Sequence, residues 1–175
     1  MTDLVKIPTE RVKALLGKDG ITKKRIEKKC NVELTVDKEG DVEIAGDSAD
    51  VFFAIDVVKA IGRGFNPSIA LKLMKDDFAF YLIPLKDLAG SDSAIKRLKG
   101  RVIGEKGRIK EAIEDATDCY LSIYGNTIAI IGPLDSMEYA KEAIGMLVNG
   151  AKHTTVLGVL AKSKRTIMEA RLRGK

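Results

Sequence analysis

The chain has 175 residues, 45% of them apolar, which is enough to build one larger domain or two small ones with a real core. Aromatics are only 5%, with no Trp, and this excludes a surface that grips nucleic acid mainly by stacking bases on rings. Thirty Lys and Arg against 25 Asp and Glu leave a formal charge of +5, compatible with a polyanionic partner and too modest to demand one.

From the N-terminus, MTDLVKIPTERVK lacks the apolar stretch of a signal peptide. No later window approaches the roughly 20 apolar residues of a membrane span, so a cytoplasmic protein is expected. LVKIP (4–8) reads as a first strand. Eight basic residues then fall between Arg11 and Lys29, against Asp19 and Glu27. Within that run, LLGKDGITKKRIEKKC (15–30) is helix-forming on both sides of a break at Gly17 and Gly20. Val32, Leu34 and Val36 alternate as a strand, Val42 and Ile44 as its partner, and Val51, Ile55, Val58 and Ile61 mark the buried face of a helix. GRGFNPSIALKLMKDD (62–77) is a short, partly helical spacer, and its Asp76 and Asp77 read as a solvated linker.

AFYLIPL (79–85) supplies another strand, set apart from the next helix by LKDLAGSDS. Ile95, Leu98 and Val102 share one helical face. After Gly104 and Gly107, the residues Ile109, Ala112, Ile113 and Ala116 keep the i, i+3, i+4, i+7 spacing of a second helix. Cys119, Leu121 and Ile123 alternate, GN at 125–126 is a turn signal, and Ile128 and Ile130 continue the hairpin. Pro133 and Asp135 open a helix whose buried face holds Met137, Ala140, Ile144, Leu147 and Val148. The end of the chain, Lys162, Lys164, Arg165, Arg171, Arg173 and Lys175 against Glu169, is a basic tail. It reads either as a solvated or frayed helix or as an arm that adds phosphate contacts.

These two series are one pattern written twice. LLGKDGITKKRIEKKCNVELTV (15–36) aligns without a gap on VIGEKGRIKEAIEDATDCYLSI (102–123) at an offset of 87, which sets Gly17 on Gly104 and Gly20 on Gly107. Each unit is therefore β-α-α-β-β-α. Two glycines around a two-residue turn allow close approach of a partner. The N–H groups opening the following helix point outward at the positive end of its dipole, which suits a phosphate. Seven basic residues between Lys96 and Lys110 against Glu105 strengthen that reading for the second copy.

The arrangement resembles the KH module in its type I form, with Gly104, Glu105, Lys106 and Gly107 as the GxxG loop. The expected fold is α+β: two tandem type I KH domains, each a three-stranded sheet packed on three helices. The first covers 1–65, a connection 66–77, the second 78–160, and the basic tail 161–175. In the second unit Arg101, Lys106, Arg108 and Lys110 would hold a sugar-phosphate backbone, while Ile103, Leu121 and Ile123 line the apolar groove for bases. In the first, Gly17, Lys18, Asp19 and Gly20 form the loop, with Lys23 and Lys24 after it. Asp19 stands where the second copy has Lys106, so that unit reads as a weaker RNA site, a scaffold or a protein-docking face.

RGFNPSIALKL after the first unit and NGAKHTTVLGVLAKSKRTIMEARL after the second extend the resemblance over nearly the whole chain. They resemble the archaeal counterparts of the ribosome-assembly factor family called partner of Nob one, or Dim-two. That resemblance implies binding to single-stranded rRNA near the 3′ end of the small-subunit RNA. It also implies partnership with a maturation endonuclease and a link to the alpha subunit of translation initiation factor two. The competing readings are a general single-stranded nucleic-acid binder and a KH-based protein adaptor. No GxxxxGK[ST], GxGxxG or HExxH occurs, and His153 is the only histidine, so no enzyme and no cofactor are expected. Cys30 and Cys119, without CxxC spacing, read as small buried hydrophobes and not as metal ligands.

Overall fold

The computed structural model describes residues 1–174; Lys175, counted above in the basic tail, lies outside them. The chain divides into two compact units, Met1–Phe80 and Tyr81 onward.

In the first unit β1 (Thr2–Lys6), β2 (Val32–Val36) and β3 (Asp41–Gly46) form a sheet in the order β1-β3-β2, both pairs antiparallel, with Leu34 opposite Ile44. Val32, Leu34, Val42 and Ile44 are buried while Glu33, Thr35 and Glu43 are exposed. This is the period-two pattern that gives a sheet one core face. Helices α1 (Val12–Leu16), α2 (Ile21–Cys30) and α3 (Ser48–Gly62) complete the unit. The buried face of α3 is Val51, Ala54, Val57, Val58 and Ile61, with Ile55 only half-buried; the helix is rotated from the expected face toward Ala54 and Val57.

Residues assigned above to a connection pack on this unit. Asn66 caps α4 (Pro67–Ala70) by accepting from the Ser68 N–H at 2.8 Å, Pro67 occupies the first helical position, and Phe65, Ala70 and Leu73 are buried.

The second unit repeats the plan with β4 (Phe78–Pro84), α5 (Asp92–Ile103), α6 (Arg108–Thr117), β5 (Tyr120–Tyr124), β6 (Thr127–Pro133) and α7 (Leu134–Val148); its strand order is β4-β6-β5. Leu121 faces Ile130 across the hairpin, as Leu34 faces Ile44 in the first unit. Ser91 caps α5, accepting from the Ala94 N–H at 3.2 Å.

The unit also has a fourth long helix, α8 (His153–Arg173), which packs on α6 and α7. It runs straight through the boundary expected at residue 160. Val156, Leu160, Ser163 and Ile167 are its buried stripe, and Ser163 is satisfied by donating to Val159 O at 2.9 Å. Near its end Arg171 donates to Asp135 through Nε (2.9 Å) and Nη2 (3.0 Å) and to Asp118 through Nη1 (2.6 Å). That guanidinium holds the Asp135 carboxyl below its ordinary range. The segment is a docked helix, and neither a frayed tail nor a free arm. Both thiols are buried, and burial pushes Cys30 up to about 11 and Cys119 upward.

Candidate nucleic-acid interface

The two glycine loops have the same backbone. The N–H of Gly17 ends α1 on Lys13 O at 2.9 Å and the N–H of Gly104 ends α5 on Gly100 O at 2.9 Å. Gly17 and Gly104 have φ/ψ of 70/178 and 73/176, Asp19 and Lys106 both have 53/28, and Gly20 and Gly107 have 74/12 and 76/10. The turn is therefore indifferent to whether its third residue is acidic or basic.

The two glycines of a loop do different work. A Cβ on Gly104 would lie 2.5 Å from Ile109 Cγ1 and 3.0 Å from the Ile109 amide nitrogen, so that glycine is needed for the loop to close on its own helix. A Cβ on Gly107 would meet nothing within 4 Å, and its left-handed φ alone asks for glycine. Only the second glycine keeps the outer face clear for a partner, not both as the sequence suggested. No side chain caps α6; its first N–H, on Arg108, donates to Glu105 O, and the positive end of the helix dipole opens at the loop.

Charge separates the copies. Glu105, Lys106 and Arg108 are exposed around the second loop, and half-exposed Lys110 stands one turn further on. In the first, Lys18 and Asp19 are exposed, and Ile21, 63% exposed, occupies the position of Arg108; Lys24 is exposed and Lys23 is partly covered. The second loop thus carries one more positive charge at the helix opening, and the first presents an apolar side chain there.

Beside the loop, Ile103 at the end of α5 and Ile123 on β5 are half-exposed. Leu121 is 4% exposed: its side chain belongs to the core, and what it offers the groove is backbone. Strand β5 is the outer strand of its sheet, so its free edge needs hydrogen-bond partners. Glu114 supplies one, its Oε1 accepting from the Leu121 N–H at 2.8 Å, with Lys110 Nζ 3.7 Å away. The first unit has the identical device one offset earlier: Glu27 Oε1 accepts from the Leu34 N–H at 2.9 Å, with Lys23 Nζ at 3.5 Å. Neither glutamate was singled out above, although a Lys-x-x-x-Glu spacing followed by a leucine seven residues on, repeated in both copies, carries the signal.

Arg101, expected among the phosphate ligands, has its guanidinium turned to backbone carbonyls. Its Nε donates to Leu147 O at 2.8 Å and its Nη2 to Ala151 O, closing the carbonyl end of α7, while His153 Nε2 donates to Arg101 O at 3.1 Å. The first unit solves the same problem from another position: Arg11 donates to Ile61 O at 2.8 Å and Phe65 O at 2.9 Å, at the end of α3. A guanidinium in a basic run was thus directed at carbonyls.

Comparison with known proteins matches both units. Residues 79–165 match the family described as eukaryotic type KH domain, type I, in the form of the second KH domain of partner of Nob one, and residues 2–60 match the KH domain family. A KH domain-containing protein of Methanocaldococcus jannaschii is 45% identical over 174 residues, covering 97% of this chain and 77% of that protein. The crystal structure of Dim2p from Pyrococcus horikoshii OT3 is 39% identical, with a TM-score of 0.86 over 93% of this chain and 99% of that one. A further structure from the same organism, of a complex of a/eIF2alpha, aDim2p and rRNA, matches at 40% identity and a TM-score of 0.87, covering 95% of each chain.

Proposed function

The chain belongs to the KH-domain family, in the two-domain group that includes archaeal Dim2p, and from that premise we propose that it binds single-stranded RNA chiefly through the GxxG groove of its second unit. The loop amides, Lys106, Arg108 and Lys110 hold the sugar-phosphate backbone; Ile103, Ile123 and the edge of β5 meet the bases. The observation that carries this reading is the pair of loops with one backbone conformation whose second glycine faces open space, with Arg108 giving the second loop one more positive charge at the opening of its helix, where the first has Ile21. The first unit, with Asp19 and Ile21 in its loop, is a weaker RNA site or a scaffold.

The RNA is the 3′ region of small-subunit rRNA, bound in the cytoplasm during ribosome assembly, and the protein acts as a binder, not an enzyme. Its protein partners are the alpha subunit of translation initiation factor two and a maturation endonuclease. The rRNA and the alpha subunit are supported by the Pyrococcus complex of a/eIF2alpha, aDim2p and rRNA; the endonuclease rests on the family resemblance.

Affinity for single-stranded RNA falls steeply with salt on this account. Three to five phosphate contacts give a log–log slope of roughly −2 to −3.5, at about −0.7 per phosphate for a single strand. Titration of one oligonucleotide at several salt concentrations measures it. A slope near zero contradicts a phosphate cradle.

A further inference from the structure

Glu114 stands where α6 meets the free edge of β5. Both of its contacts, from the Leu121 N–H and from Lys110 Nζ, fall on Oε1, and its side chain is 25% exposed. With Asp115, Asp118, Cys119, Tyr120 and Lys164 it lines a surface cavity of about 380 Å³. Asp118 is paired with Arg171 and Glu114 with Lys110, which leaves Asp115 against Lys164, so this wall is close to neutral while the GxxG end of the same helix is positive. A phosphate is drawn to the positive loop and not to this near-neutral wall. The edge of a neutral base that carries an amino group is the complementary occupant, because a carboxylate accepts from it.

We propose, on the footing that the second groove takes single-stranded RNA, that Glu114 is a specificity-determining residue that reads the exocyclic amino group of a base, cytosine N4 or adenine N6. Oε1 stays on the Leu121 N–H, which fixes the carboxylate, and Oε2 accepts from the amino group. A base that places a carbonyl there, uracil or hypoxanthine, sets its lone pairs against the carboxylate and is rejected. The same carboxylate-to-strand bond at Glu27 and Leu34 makes this a built element of the groove, kept in both units although their loops differ in charge.

The test is fluorescence anisotropy on the full chain with octamers of cytidine and of uridine, and of adenosine and of inosine, in one neutral buffer. The expected result is a preference of about tenfold or more for each amino-bearing strand over its carbonyl counterpart. Glu114→Gln, which still accepts from the Leu121 N–H and also donates, lowers both ratios to about threefold or less with the salt slope retained. Glu114→Asp, which keeps the charge and withdraws it by one methylene, also lowers them. A residue that merely caps the strand edge would move thermal stability and leave the ratios alone. Equal binding of cytidine and uridine strands by the unaltered protein, or unchanged ratios in both variants, overturns the proposal and leaves the phosphate cradle standing. Absence of binding to any strand overturns the RNA reading and this one with it.

Discussion

A protein carrying Glu105→Asp and Lys106→Asp together binds single-stranded RNA at least about tenfold more weakly, a loss of about 1.4 kcal/mol, with its fold unchanged. The backbone argument for an intact fold comes from the protein itself. Asp19 already holds, in the first loop, the φ of 53 and ψ of 28 that Lys106 holds in the second, so an aspartate fits the position. Both glycines remain, and with them the closure of Gly104 on Ile109. What changes is charge: a net-neutral pair becomes doubly acidic beside the phosphates, where carboxylates repel them. Lys18→Asp creates the same loop in the first unit and costs less, because Asp19 and the apolar Ile21 already weaken that site. Circular dichroism and thermal melting check the fold, and one RNA titration ranks the variants. If Lys18→Asp is the more damaging, the second unit is not the principal binder, and Lys23 and Lys24 become the residues to examine.

Arg101→Ala has the opposite signature. The guanidinium makes two bonds to carbonyls at the end of α7, where a cation also meets the negative end of the helix dipole. Hydrogen bonds with a charged donor contribute about 1.5–3 kcal/mol, so the loss is expected near 2 kcal/mol and the fall in Tm at about 5–10 °C. RNA affinity measured well below the melting transition stays within about twofold of the unaltered protein. A tenfold weaker titration with an unmoved Tm would return Arg101 to the groove. Arg101→Lys keeps the charge without the planar fork and restores little of the stability.

Most of the fold was readable from periodicity, because each unit buries one sheet face and one stripe per helix. Val32 and Leu34 against Glu33, or Ile95, Leu98 and Val102 on α5, announce themselves. The repeat at an offset of 87 then located both glycine loops. The misreadings share a physical cause: charge and hydrophobicity say what a side chain prefers, not which neighbour satisfies it. Arg101 lies in a basic run and looks the same whether it faces a phosphate or Leu147 O. The stripe of α8 contains Ser163 among Val156, Leu160 and Ile167, amid exposed Lys162, Lys164 and Arg165, so its polar residues concealed a docked helix. Leu121 was assigned to the groove by its side chain, whereas an edge strand presents its backbone there, and the partner of that backbone, Glu114, comes from a different element. The loop residues Glu105, Lys106 and Arg108 were placed correctly at the exposed turn because glycine spacing fixes a turn locally, without help from distant neighbours.

The most direct measurement is a titration of the isotopically labelled protein with a single-stranded RNA, followed by amide nuclear magnetic resonance. The account predicts that the largest shifts fall on Gly104 to Lys110 and on β5 around Leu121 to Ile123, with smaller changes at Gly17 to Gly20. Shifts confined to the first loop, to α8, or to the exposed Phe52 and Phe53 of α3, with the second loop silent, would contradict it.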